Sequence, residues 1–449
     1  MKKFNELRKK YPEFVYHSFD IKWSDNDIEI QFKFSIPPDI HFRPSIIIPA
    51  KKFDFKIGAD HPVVKNIAFH IGMIELVSYW KCACPAAVIV EAGALNAAQV
   101  QWWKKLYFKG LGEFFYVNDI EIDIDLFMDI QVQSEASFNP STLDNAAKNL
   151  IPVGGGKDSI VTLAALSPMK ERNTCLIMNP REASLQSIYR AGYSDDGLFE
   201  IHRRIDAKLL SLNKAGFLNG HTPFSAMLAF NAAFAAALLG VRFIVLSNEA
   251  SANESTVANT DINHQYSKSL EFERDFHDYF RNYISPDIYY FSLLRPLSEL
   301  QIARKFAAQD DRFFSIFKSC NVGSKADIWC GKCSKCLFVF IILAPFLDLQ
   351  KLQKIFGANL FEDESLWRIF RQLIGVEDVK PFDCVGTVEE TNAALSMALH
   401  QNPAAELPLL LRRYREEFPD LILSPDRVNA LLNHFNHDHL LPESFKKFI

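Results

Sequence analysis

The residues with the clearest chemistry stand six in a row, Gly154-Gly155-Gly156-Lys157-Asp158-Ser159. Glycines let backbone N–H groups approach phosphate oxygens, a following helix turns its positive end toward them, and Lys157 and Ser159 add an ammonium and a hydroxyl. Apolar residues 150–153 lead in as a strand would, and residues 160–166 carry on as a helix. The expected chemistry is phosphate binding. The spacing is not that of a Walker loop, which needs Gly at 151, where Ile stands, and Ser or Thr at 158, where Asp stands. A glycine-rich turn without a ligand and a purely regulatory nucleotide site are the competing readings.

The second cluster is cysteine. Nine residues separate Cys320 from Cys330, and Cys330-Gly331-Lys332-Cys333-Ser334-Lys335-Cys336 then gives two consecutive CxxC spacings. Four thiolates so spaced suit tetrahedral Zn²⁺, with Gly331 allowing a tight knuckle, and a site without a spare ligand position is structural. An iron–sulfur cluster is the main competitor and a catalytic thiol among the four the lesser one. Cys82 and Cys84 have no comparable partners and read as core thiols.

The glycine loop resembles the Ser-Gly-Gly-x-Asp-Ser signature of the PP-loop ATP pyrophosphatases, with Gly154 in place of the first serine. The resemblance implies a loop that cradles the β- and γ-phosphates and leaves the α-phosphate open to attack, releasing pyrophosphate. The cysteine segment is similar to that of the PP-loop enzyme that makes 7-cyano-7-deazaguanine. Long polar stretches lie between and beyond these landmarks: residues 218–225, 247–255, 263–269, 294–299 and 384–387. Taken together, residues from about 150 to 390 resemble the UDP-N-acetylmuramoyl-L-alanyl-L-glutamate epimerases, and the N-terminal region does so only loosely.

That resemblance implies ATP- and Mg²⁺-dependent inversion of the terminal L-glutamate of a UDP-N-acetylmuramoyl dipeptide, with AMP and pyrophosphate as products. The chemistry has a physical logic. Removing an α-proton beside an ionised carboxylate would create a second negative charge on it, whereas an adenylated carboxyl gives an enolate that nearby donors can stabilise. Another PP-loop enzyme (a ligase, nitrile synthase or thiolation enzyme) and a non-catalytic nucleotide-sensing module are the alternatives. His221, His264 and Cys384 are the candidates for proton transfer, since each lies in or beside a polar stretch bearing glycine or proline.

Asn179, Ser247, Asn248 and Glu249 follow apolar strand-like runs at 174–178 and 243–246, on the edge of an α/β sheet where ligands bind. Asn248 and Glu249 could hold Mg²⁺ or ribose, or else cap the next helix. Asn253, Glu254 and Asp158 share that ambiguity. Lys268 and Arg295 could pair with a substrate carboxylate or diphosphate, or else be ordinary exposed cations. Lys157→Ala is expected to weaken ATP use with the fold intact.

These residues need a scaffold, and the pattern predicts one. At 449 residues the chain exceeds one usual core. Residues 146–345 read as βαβ units forming a parallel sheet with helices on both faces, the PP-loop domain, carrying the four-cysteine knuckle. Residues 1–145 read as α+β, with strand-like alternation at 28–34 and 120–130 and an amphipathic helix at 94–106. They carry no catalytic signature, and holding the UDP-muramoyl portion is the role guessed for them. Residues 346–449 read as helical. Composition is ordinary apart from 39 Phe, and the net charge of −5 offers no footprint for nucleic acid. The start turns charged at once, without the apolar run of a signal peptide, so a cytoplasmic protein is expected. Apolar stretches at 227–246 and 337–347 read as buried core rather than membrane spans, the first containing Asn231 and Arg242 and the second being too short. Oligomeric state is not readable.

Overall fold

The computed structural model describes residues 1–257, 260 and 262–449. Eleven strands form one sheet: β1 (Glu13–Trp23), β2 (Asp27–Ile36), β3 (Ile40–Phe42), β4 (Ser45–Pro49), β5 (Ala87–Val90), β6 (Asp129–Val132), β7 (Ala146–Pro152), β8 (Asn173–Met178), β9 (Leu198–Arg204), β10 (Val241–Leu246) and β11 (Tyr289–Ser292). Their order is β11-β10-β7-β8-β9-β4-β2-β1-β5-β6, with β3 pairing β2. The first five run parallel, and the antiparallel β9–β4 pair joins them to the N-terminal strands.

Side chains alternate along a strand, so a sheet covered on both faces is apolar at every position. Leu150, Leu176, Phe199, Ile244 and Tyr290 enter one core, together with the N-terminal strands and the helices Pro62–Trp80 and Phe224–Leu239. Their neighbours Ile151, Cys175, Leu198, Val245 and Phe291 enter the other, with the helices Lys157–Ala165, Glu299–Ala307 and Ser334–Leu343. The result is a mixed α/β protein with helices on both faces of a large central sheet. The two apolar stretches weighed as membrane spans lie in these cores, and no helix among the described residues is long and apolar enough to cross a membrane.

The sheet edge that matters is set by its connections. From β7 the chain moves outward to β8 and β9, and from β10 it moves the opposite way to β11. The loops leaving β7 and β10 therefore diverge and open a crevice beyond the carboxyl ends of those strands, the position where open α/β sheets bind ligands.

Two local expectations change. Residues 120–130 do not form one strand: a short helix, Ile124–Phe127, precedes β6, which begins at Asp129. The four residues of β5 provide pairing only for Asp129–Val132, so the alternation further upstream meets no sheet edge. The helix expected at 94–106 starts at Ala97 because Asn96 and Gln99 form a reciprocal capping box.

Candidate active site

The loop after β7 is shaped by its middle glycine. Gly155 has φ +84°, and a Cβ there would stand 2.7 Å from the backbone of Ala183 and Ser184. Only glycine fits. Gly154 meets nothing within 4 Å, so the serine of the resembled signature has room there. Arg181 donates from Nη2 to the Gly154 carbonyl at 3.0 Å, and the Lys318 amide donates to Gly155 O at 2.9 Å. With its carbonyls so engaged and no side-chain cap at Gly156, the loop leaves the first-turn N–H groups of the helix Lys157–Ala165 for an anion. Ser159 Oγ donates to Gly156 O at 2.9 Å.

Lys157 sits beneath this loop. It is 2% exposed and its ammonium pairs with Asp158 and with the equally buried Glu299. Burial opposes the charged amine, but the two carboxylates outweigh it and hold its pKa above the usual lysine range. Glu299 was not singled out from sequence. Burial, offset in part by Lys157 and reinforced by Asp158 and Glu249, pushes its carboxyl up to about 7. Burial and Asp158 likewise raise Glu249.

Above the loop lies a cleft of about 380 Å³ walled by Gly154, Asp158, Ser159, Ser247, Asn248 and Glu249. Lys268, Lys318, Lys335 and Arg181 supply its positive charge, and Cys384 lines its far side. Ser247 and Ser319 also line it, and the Oγ of each is buried without a hydrogen-bond partner among the described residues. Such atoms suit a polar ligand. A neighbouring cleft of about 360 Å³, lined by Val153, Leu176, Met178, Asn179 and Phe224, has the apolar walls an aromatic base would need. Asn179 takes φ +54° and accepts the Arg203 amide at 2.8 Å, which fixes the turn out of β8.

Beside Cys384, which lines the cleft, the three sequence candidates meet. His221 precedes the helix Phe224–Leu239, His264 lies in the loop before Leu270–Tyr283, and Cys384 precedes Val388–Gln401. The two imidazole centroids are 4.6 Å apart, and Cys384 Sγ is 3.9 Å from His264 Nε2. Glu113, on the helix Gly112–Val117, completes the group: its Oε2 accepts from His264 Nδ1 and lies 3.2 Å from His221 Nδ1. Lys268 Nζ donates to Cys384 Sγ at 3.1 Å. Glu113 was not foreseen. It lies 151 residues from His264, in a stretch with no motif.

The charges settle as an ion pair. Burial opposes the thiolate, but Lys268 and His264 overcome it and bring Cys384 down to about 6. Burial likewise opposes the His264 imidazolium, but hydrogen bonds to Cys384 and Glu113 lift it to about 9. His221, buried and repelled by His264, falls to about 4 and stays neutral near pH 7. This is a nucleophile or base, an imidazole and an orienting carboxylate in sequence.

Other candidates take different places. Arg295 is fully buried: it pairs with Glu273 at 2.9 Å and donates to the carbonyls of Glu249 and Lys268 at 2.5 and 2.6 Å. It therefore fixes two cleft-lining residues rather than reaching into the cleft itself. Glu254 is engaged by Lys380, and Asn253 accepts the Leu270 amide at 2.8 Å. Asn248 Nδ2 donates to Ser292 Oγ at 3.1 Å.

The four cysteine sulfurs of Cys320, Cys330, Cys333 and Cys336 lie within 4.8 Å of one another, with closest pairs at 3.5 to 3.7 Å. Zn–S bonds of about 2.3 Å in a tetrahedron separate the sulfurs by about 3.8 Å. An iron–sulfur cubane, with one thiolate per corner iron, would hold them further apart. The donor set fits a single tetrahedral ion.

The chain matches two family models, the MurL N-terminal domain over residues 5–293 and the MurL C-terminal domain over residues 313–427. It is 32% identical to the UDP-N-acetyl-alpha-D-muramoyl-L-alanyl-L-glutamate epimerase of Xanthomonas oryzae pv. oryzae, over 89% of this chain and 88% of that one. The enzymes of the same name from a Micromonospora species and from Salinispora tropica are each 33% identical over 90% of this chain, covering 91% and 89% of theirs. No solved structure matches.

Proposed function

The chain belongs to the MurL family, whose relatives named above are epimerases, and from that premise we propose that it inverts the terminal L-glutamate of UDP-N-acetylmuramoyl-L-alanyl-L-glutamate after adenylating its carboxyl group at the expense of ATP. The observation that carries the mechanism is that Gly154, Asp158 and Ser159 share one cleft with Lys268 and Cys384. Activation and proton transfer are thereby within reach of one bound substrate.

On this reading the loop and the first turn of Lys157–Ala165 hold the outer phosphates of ATP in a PP-loop arrangement, and Arg181, Lys268 and Lys335 offset the charge that develops at the α-phosphate. The apolar slot beside Phe224 takes the adenine. Asp158 and Glu249, which both line the cleft beside the loop, would hold Mg²⁺, and the ion would supply positive charge against the phosphates. Zn²⁺ on the four cysteines is structural. Once the carboxyl is adenylated, the neutral His221 can accept the α-proton and the His264 imidazolium can donate one.

The test is product and isotope together. In heavy water, the chain with ATP, Mg²⁺ and the dipeptide substrate is expected to place deuterium at the glutamate α-carbon while releasing AMP and pyrophosphate. Neither product should form without the dipeptide. A ligase, nitrile synthase or thiolation enzyme would leave the α-proton unexchanged, and that outcome would sink the proposal.

A second expected result concerns pH. The Cys384 thiolate is present above about 6 and the His264 imidazolium below about 9, so the rate should rise through the first value and fall through the second. Glu113→Gln removes an anion that favours the imidazolium, so the alkaline limb should move down by about one unit or more. An unmoved alkaline limb in a folded variant would exclude Glu113 from the relay.

A further inference from the structure

The distances around Cys384 fit acyl transfer better than proton transfer. An acid and a base serving opposite faces of a carbon, each about 3–3.5 Å from it, stand about 6–7 Å apart. Cys384 Sγ and His264 Nε2 are 3.9 Å apart, which leaves no room for a carbon between them. Their order, thiol to imidazole Nε2 and imidazole Nδ1 to the Glu113 carboxylate, is that of a nucleophile, its base and the base's orienter. Lys268 Nζ, 3.1 Å from the sulfur, stabilises its anion, and Lys335 holds the Cys384 carbonyl. Cys384 lines the cleft that holds the glycine loop.

We propose that Cys384 is a nucleophile that takes the substrate's acyl group from the adenylate as a thioester, so that epimerisation takes place on a covalent acyl-enzyme. This rests on the adenylating reading above. The thiolate attacks the acyl carbon, the S–C bond forms, the bond from that carbon to the phosphate oxygen breaks, and AMP leaves with the electron pair. A thioester, like the adenylate, carries no charge at the acyl carbon and leaves the α-proton acidic. His221, 4.6 Å from His264 between ring centres, lies beside the tethered acyl group to remove that proton. The His264 imidazolium then gives its proton to the opposite face and His221 releases the one it took to solvent; water attacks the thioester, the now neutral His264 takes water's proton, and the Cys384 thiolate departs. One ATP and one water are consumed, with AMP and pyrophosphate formed, and nothing is oxidised or reduced.

The experiment is acid quenching of the full chain during turnover, followed by intact-protein and peptide mass measurement. A mass increase equal to the UDP-N-acetylmuramoyl dipeptide less one water is expected on the peptide containing Cys384, removable by hydroxylamine. Cys384→Ala should keep ATP–pyrophosphate exchange within about tenfold of the parent and lose α-deuteration by about 10³-fold or more. Cys384→Ser, whose ester hydrolyses more slowly, should accumulate the adduct if the native enzyme turns it over too fast to see. Deuterated product with no adduct in either protein overturns the thioester, as does an adduct on another residue. A second bound metal ion per chain, held by Glu113, His221 and His264, would also overturn it by removing the base. Failure of the parent enzyme to form AMP and pyrophosphate at all would instead reject the adenylating reading.

Discussion

Lys157→Ala should lower ATP–pyrophosphate exchange by about 10³-fold or more, and near pH 8 it should also cost about 3–5 kcal/mol of stability. The second effect follows from where the ammonium lies. It is buried between Asp158 and Glu299, with Glu249 close enough to raise Glu299 further. Removing it leaves the buried Glu299 and Glu249 and the partly exposed Asp158 without their shared cation, so the simple expectation of an intact fold no longer holds. The protein's escape is to protonate Glu299, whose carboxyl already stands near 7 against an ordinary 4.5. Because that pKa is raised on folding, Glu299 favours the folded state fully below about 4.5 and loses this contribution as pH rises through 7. Without Lys157 its pKa climbs further. The stability gap between parent and variant, measured by urea unfolding, should therefore widen from pH 6 to 8 and narrow toward pH 5. Adding Glu299→Gln should recover most of the stability at pH 8 without restoring exchange. A gap independent of pH would reject the charge cluster as its cause, and parental exchange in the single variant would reject a role for Lys157 in ATP use.

The same residue shows what sequence can and cannot convey. The glycine loop and the cysteine knuckle are legible because their chemistry is contiguous: strand, glycines and helix follow one another, and three of the four thiols fall within seven residues. A contiguous motif does not say where its side chains point. Lys157 reads as a cation for phosphate, yet its partners are Asp158 and Glu299, the latter 142 residues away. Arg295 reads as an available cation because its buried partner Glu273 has no motif. His221, His264 and Cys384 are legible as candidates from the polar stretches around them, whereas their convergence depends on loops from three separate elements. Glu113 is illegible, on a six-residue helix from a region where only alternation and amphipathicity could be read. The alternation at residues 120–130 misleads for a related reason: a strand needs a neighbour as well as a pattern, and β5 is too short to provide one.

Cys333→Ser is expected to reduce bound zinc from about one ion per chain to near zero, lower the unfolding temperature, and impair ATP use although no cysteine of the four binds a substrate. The coupling is geometric. Cys320 follows Lys318, whose amide holds Gly155 O at 2.9 Å, and Ser319, which lines the cleft. Lys335, between Cys333 and Cys336, grips the carbonyl of Cys384. One ion at the four sulfurs would thus fix the outer wall of the glycine loop and the backbone of Cys384. Zinc binding contributes about 10–16 kcal/mol in small zinc modules, but here the helix Ser334–Leu343 is already anchored by its fully buried residues 336–343. Most of the loss should therefore fall on the segment from 318 to 333 rather than on the whole fold. The KM for ATP should rise and kcat should fall together, since both walls loosen. Cys175→Ser, at a buried thiol outside the cluster, should leave the metal in place and so separates metal loss from general core damage. Undiminished zinc in Cys333→Ser would reject the four-cysteine site, and iron with acid-labile sulfide in the parent protein would replace zinc with a cluster, against the 3.5 to 3.7 Å sulfur spacing.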